Sequence, residues 1–103
     1  MIDYKHPIIA EMKGKYRESR EAYELADYHR GIGLEDARQL FEDAHTKLAG
    51  AETAVSGLMD SMRVADDVTP YEREYYLPFM NSHLDNIGVW LREVRRRLEG
   101  TKV

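Results

Sequence analysis

Glu42-Asp43-Ala44-His45 sets a carboxylate and an imidazole three residues apart, the spacing with which helical bundles hold di-iron and di-manganese centres. Such a centre needs more glutamates and a second Glu-x-x-His. In the third helix the position three residues before His83, where that glutamate should stand, holds Met80. A homodimer could double Glu42 and His45, but a solvated ion pair along the helix is the simpler account. The other histidines, His6 and His29, stand near segment ends and do not read as ligands. The chain has no cysteine, so thiolate nucleophiles, disulfides and thiolate metal sites are excluded. No serine stands in a strand-turn-helix setting. Gly31-Ile32-Gly33 lacks the preceding strand and following lysine of a phosphate loop, and reads as a helix break. The expectation is a protein without catalysis, metal or cofactor.

Binding chemistry has better candidates. His83, Asn86, Trp90 and Arg97 share a polar flank at helical spacing, and Arg92, Arg95, Arg96 and Arg97 concentrate charge near the C-terminus. Cations there also complement a helix dipole, which suffices to explain any single arginine. With 15 basic and 19 acidic side chains the net charge is −4, so a small anionic ligand suits the chain better than duplex nucleic acid. Seven tyrosines and one tryptophan offer faces for stacking on bases, or for packing between protomers. Tyr16, Tyr23 and Tyr28 fall in the first segment, and Tyr71, Tyr75 and Tyr76 at the mouth of the third.

The elements that carry these residues are delimited by two clusters of breakers, Gly31-Ile32-Gly33 and Asp66-Asp67-Val68-Thr69-Pro70. Between them Leu34, Ala37, Phe41, Ala44, Leu48, Ala51, Val55, Leu58, Met62 and Ala65 recur three and four apart, as on a coiled-coil helix. Ala37, Ala44 and Ala51, on one of its two heptad positions, invite close approach of a partner helix. Thr69-Pro70-Tyr71-Glu72 has the residues of a capping box with proline at the first helical position. The helix it opens carries Leu77, Met80, Leu84, Ile87, Leu91, Val94 and Leu98, with Gly100 as its stop. Pro78 interrupts that helix and predicts a kink, which either wraps the helix over the bundle or shapes a pocket. From about His6 to Tyr28 a weaker seam of Ile9, Met12, Tyr16, Ser19, Tyr23 and Ala26 predicts a third, less securely packed helix. The spacing therefore predicts an all-α fold, one domain over 1–103, with residues near 34–66 and 69–99 as an antiparallel hairpin covered by the first helix. Apolar surface on all three segments also predicts a homo-oligomer. No segment has the length and apolarity of a membrane span or the pattern of a signal peptide, so a cytoplasmic location is expected.

From Tyr28 onward the chain resembles the helical-hairpin family of phage proteins that sequester cyclic nucleotide signals, of the anti-CBASS and anti-Thoeris type. The residues that carry the resemblance are Tyr28 and Arg30, then Lys47-Leu48-Ala49-Gly50, then Ser82-His83-Leu84 followed by Leu91 and Arg92. The interval from Tyr28 to Lys47 is about one helical turn longer than the family's, and the first helix has no counterpart in it. The resemblance implies a homo-oligomer in the host cytoplasm that binds a cyclic di- or trinucleotide between protomers and withholds it from a defence pathway without chemistry. It further implies Lys47 and Arg30 as phosphate contacts, Tyr28 as a stacking residue, and His83 and Arg92 as further ligand contacts. Two alternatives stand beside it: a helical inhibitor or adaptor that binds a host protein, and a metal-binding ferritin-like protein.

Overall fold

A computed structural model describes residues 4–28 and 34–100, with the backbone alone over 34–37. Its elements are α1 (Pro7–Tyr28), α2 (Leu34–Val64) and α3 (Pro70–Gly100), with no strand among the described residues. The expected helix limits agree with these to within two residues. Gly31-Ile32-Gly33, His29 and Arg30 lie outside the described residues, as do the side chains of Leu34 and Ala37.

The helices run up, down and up. Arg95 meets His45, so α2 and α3 are antiparallel, whereas Tyr16 meets Asn86 and Asp27 meets Arg97, so α1 and α3 are parallel. The bundle is a rod of 52 × 19 × 15 Å. Its length is set by the 31-residue α2 and α3, about 46 Å each at 1.5 Å per residue.

The core follows the apolar seams with two informative departures. On α2 the buried line runs Phe41, Ala44, Leu48, Ala51, Val55 and then Met59, while the expected Leu58 is only half-buried. A helix that stays straight drifts about 20° per heptad from a strict seven-residue repeat, so after two heptads the inward position moves on by one residue. On α3 Tyr76, expected at an open mouth, is 3% exposed beneath the rings of Tyr4 and His6. It stands one turn before Met80 on the inward stripe, and the segment leading into α1 covers it.

The first helix is fully integrated. Ile9, Met12, Ser19 and Ala26 are at most 1% exposed, because small side chains on α1 meet the alanine-rich face of α2. The Ser19 hydroxyl donates to the Tyr16 carbonyl at 2.9 Å, so this buried polar group is satisfied.

Side chains also close the helix ends. The Glu72 carboxylate accepts from the Thr69 amide at 2.9 Å and the Thr69 hydroxyl accepts from the Glu72 amide at 3.1 Å, the reciprocal pair the motif predicts. Arg73 reaches back to donate to the carbonyls of Met62, Ala65 and Val68 at 3.1, 2.8 and 3.3 Å, so one guanidinium closes the end of α2 and its connection to α3. At the start of α1 the His6 Nδ1 accepts from the Ile8 amide at 3.1 Å, so Nε2 carries the proton donated to Asp67 at 2.9 Å. Pro78 lies within a continuous α3 and deprives the Glu74 carbonyl of its usual amide donor.

Candidate functional site

Aromatic side chains from α1, the segment leading into it and α3 form a ladder along their shared interface. Tyr4 meets Phe79 at 4.4 Å between ring centroids, Phe79 meets His83 at 4.6 Å, His83 meets Tyr16 at 4.4 Å, and Tyr16 and Tyr23 flank Trp90 at 5.4 and 5.7 Å. Parallel helices bring these positions into register because each set recurs at helical spacing. Cations extend the ladder outward: Lys13 sits over Phe79 and Arg20 over Tyr16. His83 belongs to this packing. Its Nδ1 lies 2.8 Å from the Phe79 carbonyl, to which it donates, and its ring is wedged between Tyr16 and Phe79.

Lys47 stands elsewhere, in an open depression of about 230 Å³ between α1 and α2, lined by Lys15, Glu18, Lys47, Gly50, Ala51 and Ala54. The floor is made of small residues, and beyond the adjacent backbone of α2 itself nothing lies within 4 Å of where a Cβ on Gly50 would be. Neither lysine has an ion-pair partner within 4 Å among the described residues. Two cations therefore converge on a groove whose floor would let a ligand reach the backbone. The sequence reading omitted Lys15. Its signal was there: Lys15 precedes the seam residue Tyr16 on the helix that antiparallel packing sets against Lys47.

The other candidates do not share this groove. Tyr28 is 82% exposed at the end of α1, ten residues beyond Glu18 and so about 15 Å further along the axis. Arg92 is exposed on α3. Arg30 lies outside the described residues. Within one chain the structure thus groups Lys47 with Lys15, and leaves Tyr28, His83 and Arg92 at three separate places.

The C-terminal arginines have partners of their own. Arg96 and Arg97 share the Glu93 carboxylate at 2.7 and 3.1 Å, and Arg97 also bridges to Asp27 of α1 at 3.4 Å. Hydrogen bonds from Arg96 foremost, and also from Arg97, hold the Glu93 carboxyl below the usual carboxylate range. Arg95 donates to the His45 Nε2 at 3.3 Å beside a depression of about 380 Å³ that Glu42 and Glu99 also line. Glu42 is bound to Arg38 at 3.1 Å, so the two members of the Glu-x-x-His pair are each engaged by an arginine. Among the described residues no group of three or more histidine, aspartate or glutamate side chains could hold a metal ion, and no helix is long and apolar enough to cross a membrane. No protein-family model matches the chain, and neither the curated proteins nor the solved structures contain a significant match to it.

Proposed function

We propose that the protein is a non-catalytic binding protein that sequesters an anionic ligand, of which a cyclic oligonucleotide is the favoured class, through phosphate contacts in the groove between α1 and α2. The observation that carries this reading is the convergence of Lys15 and Lys47 over Gly50, Ala51 and Ala54. Two ammonium groups against the single Glu18 carboxylate of the groove, neither of them in an ion pair within 4 Å among the described residues, suit a phosphodiester backbone, and a small-residue floor admits close approach. A ligand that also stacks on Tyr28 is shared between two chains, because about 15 Å of helix separates Tyr28 from this groove within one chain. The test is recovery: protein dialysed against a cyclic dinucleotide should retain it and release it chemically unchanged on denaturation. Cleaved ligand would contradict sequestration, and absence of retention across cyclic di- and trinucleotides would contradict the ligand class.

A second reading, a helical inhibitor or adaptor that binds a host protein, draws on a different feature. Tyr71 and Tyr75 are 59 and 45% exposed and adjoin at 5.1 Å between ring centroids, an aromatic pair at the start of α3 that a protein partner could cover. Stoichiometric recovery of one host protein, unaffected by Lys47→Ala, would favour it.

A further inference from the structure

His6 uses both nitrogens of its ring at the start of α1. Its carbonyl accepts from the Ala10 amide at 3.0 Å and Pro7 takes the first helical position, so His6 is the residue that caps the helix. Serine, threonine, asparagine and aspartate usually fill that role with a side-chain oxygen. Here Nδ1 takes the oxygen's place and accepts from the Ile8 amide at 3.1 Å, while Nε2 donates at 2.9 Å to Asp67, 61 residues away in the connection between α2 and α3. A backbone amide can only donate and a carboxylate can only accept, so the two bonds together require the neutral ring with its proton on Nε2.

The same ring fastens a strap. Tyr4 lies against Phe79 and Tyr76 at 4.4 and 5.9 Å between centroids, and Tyr76 is 3% exposed beneath Tyr4 and His6. Residues 4–6 thus cover one end of the aromatic ladder.

We propose that His6 is a proton-operated latch, which as a neutral imidazole holds residues 4–6 over Tyr76 and Phe79 and on protonation releases them. An imidazolium carries hydrogen on both nitrogens, so Nδ1 no longer accepts and the Ile8 amide faces a second donor. The ring is faced by Asp67 from the connection and by Glu72 and Tyr76 from α3, and Lys5 precedes it on its own segment. The two carboxylates favour the cation and so oppose release. They are the weaker influence. Asp67 is 70% exposed and already accepts from the neutral ring, so protonation adds only a screened attraction there, and Glu72 is engaged in the cap with Thr69. Against this stand a lost cap, a half-buried amide without its acceptor, and a positive charge at the positive end of the α1 dipole. The closed strap therefore takes up a proton less readily than the released one, and acid favours release. Release uncovers Tyr76 and Phe79 and leaves the groove of Lys15 and Lys47, which none of these residues lines, as it was. The latch stands apart from the binding reading.

Nuclear magnetic resonance on the full chain tests it. Protection of the Ile8 amide from hydrogen exchange, taken relative to an unstructured chain at each pH, should fall at least about tenfold between about pH 8 and pH 5, the range in which histidine ordinarily titrates. The Overhauser contacts of the Tyr4 ring with Tyr76 and Phe79 should weaken in parallel. His6→Asn offers an oxygen in place of Nδ1 at every pH, so its Ile8 protection should not change over this range. His83, whose ring adjoins Phe79, is present in both proteins and so is not the source of the difference. Asp67→Asn keeps an acceptor for Nε2 but removes a charge that favours the closed imidazolium, so its loss of protection in acid should exceed that of wild type. Wild-type protection that holds or rises at pH 5, an equal acid loss in His6→Asn, or a smaller one in Asp67→Asn would overturn the proposal.

Discussion

Arg73 closes the end of α2 with a side chain from α3, and no other residue type can replace it. Its planar guanidinium serves three carbonyls at once, those of Met62, Ala65 and Val68, whereas a lysine ammonium cannot match the fork. Arg73→Met should cost about 1.5–3 kcal/mol in urea unfolding, and Arg73→Lys should recover less than half of that. Glu72 makes a pH-dependent contribution. Hydrogen bonds from the Thr69 amide foremost, and from the Thr69 side chain, lower its carboxyl from the ordinary 4.5. A carboxyl whose folded value lies below its unfolded value stabilises the fold above the unfolded value and loses that contribution as the pH falls through the folded one. Glu72→Gln should thus be less stable than wild type at neutral pH, and the difference should vanish as the pH falls through the lowered folded value of Glu72. A difference that persists unchanged in acid would show that the charge of Glu72 is not what the cap uses.

At the level of the elements, the seams were legible because a buried helix face must repeat every three or four residues whatever it packs against. Ile9, Met12, Ser19 and Ala26 of α1 are buried as their spacing requires. The security of that packing was not legible, because serine and alanine read as weak core formers until α2 brings its own alanines against them. The shift from Leu58 to Met59 and the burial of Tyr76 depend on helix straightness and on the segment around Tyr4, neither of which a periodic pattern encodes. Two substitutions separate these effects. Leu48→Ala removes a fully buried side chain at the centre of the bundle and should cost about 2–5 kcal/mol. Ser19→Ala should instead stabilise by up to about 0.5 kcal/mol, since alanine is the better helix former and the Tyr16 carbonyl keeps its helical amide. A destabilised Ser19→Ala would mean that the hydroxyl holds the close approach of α1 rather than merely tolerating it.

For the whole molecule, the rod-like bundle separates its surfaces. The aromatic ladder is consumed between α1 and α3, so the tyrosines that composition offered for base stacking, Tyr16 and Tyr23, serve the fold instead. The candidate site was legible only at Lys47. Its companion Lys15 depends on which residues antiparallel packing brings opposite it, and the separation of Tyr28, His83 and Arg92 depends on a 22-residue first helix laid along the 31-residue helices of the hairpin. Among the depressions open to a small ligand, the groove between α1 and α2 is the one that two lysines line, and the central claim is that they bind phosphate. Titration calorimetry against a panel of cyclic di- and trinucleotides, with wild type, Lys47→Ala and Lys15→Ala, tests this most directly. Each charge-assisted contact contributes about 1.5–3 kcal/mol, so each variant should bind at least about tenfold more weakly with unchanged helical content. Wild-type binding that both variants leave unaltered, or no heat with any member of the panel, would contradict the claim.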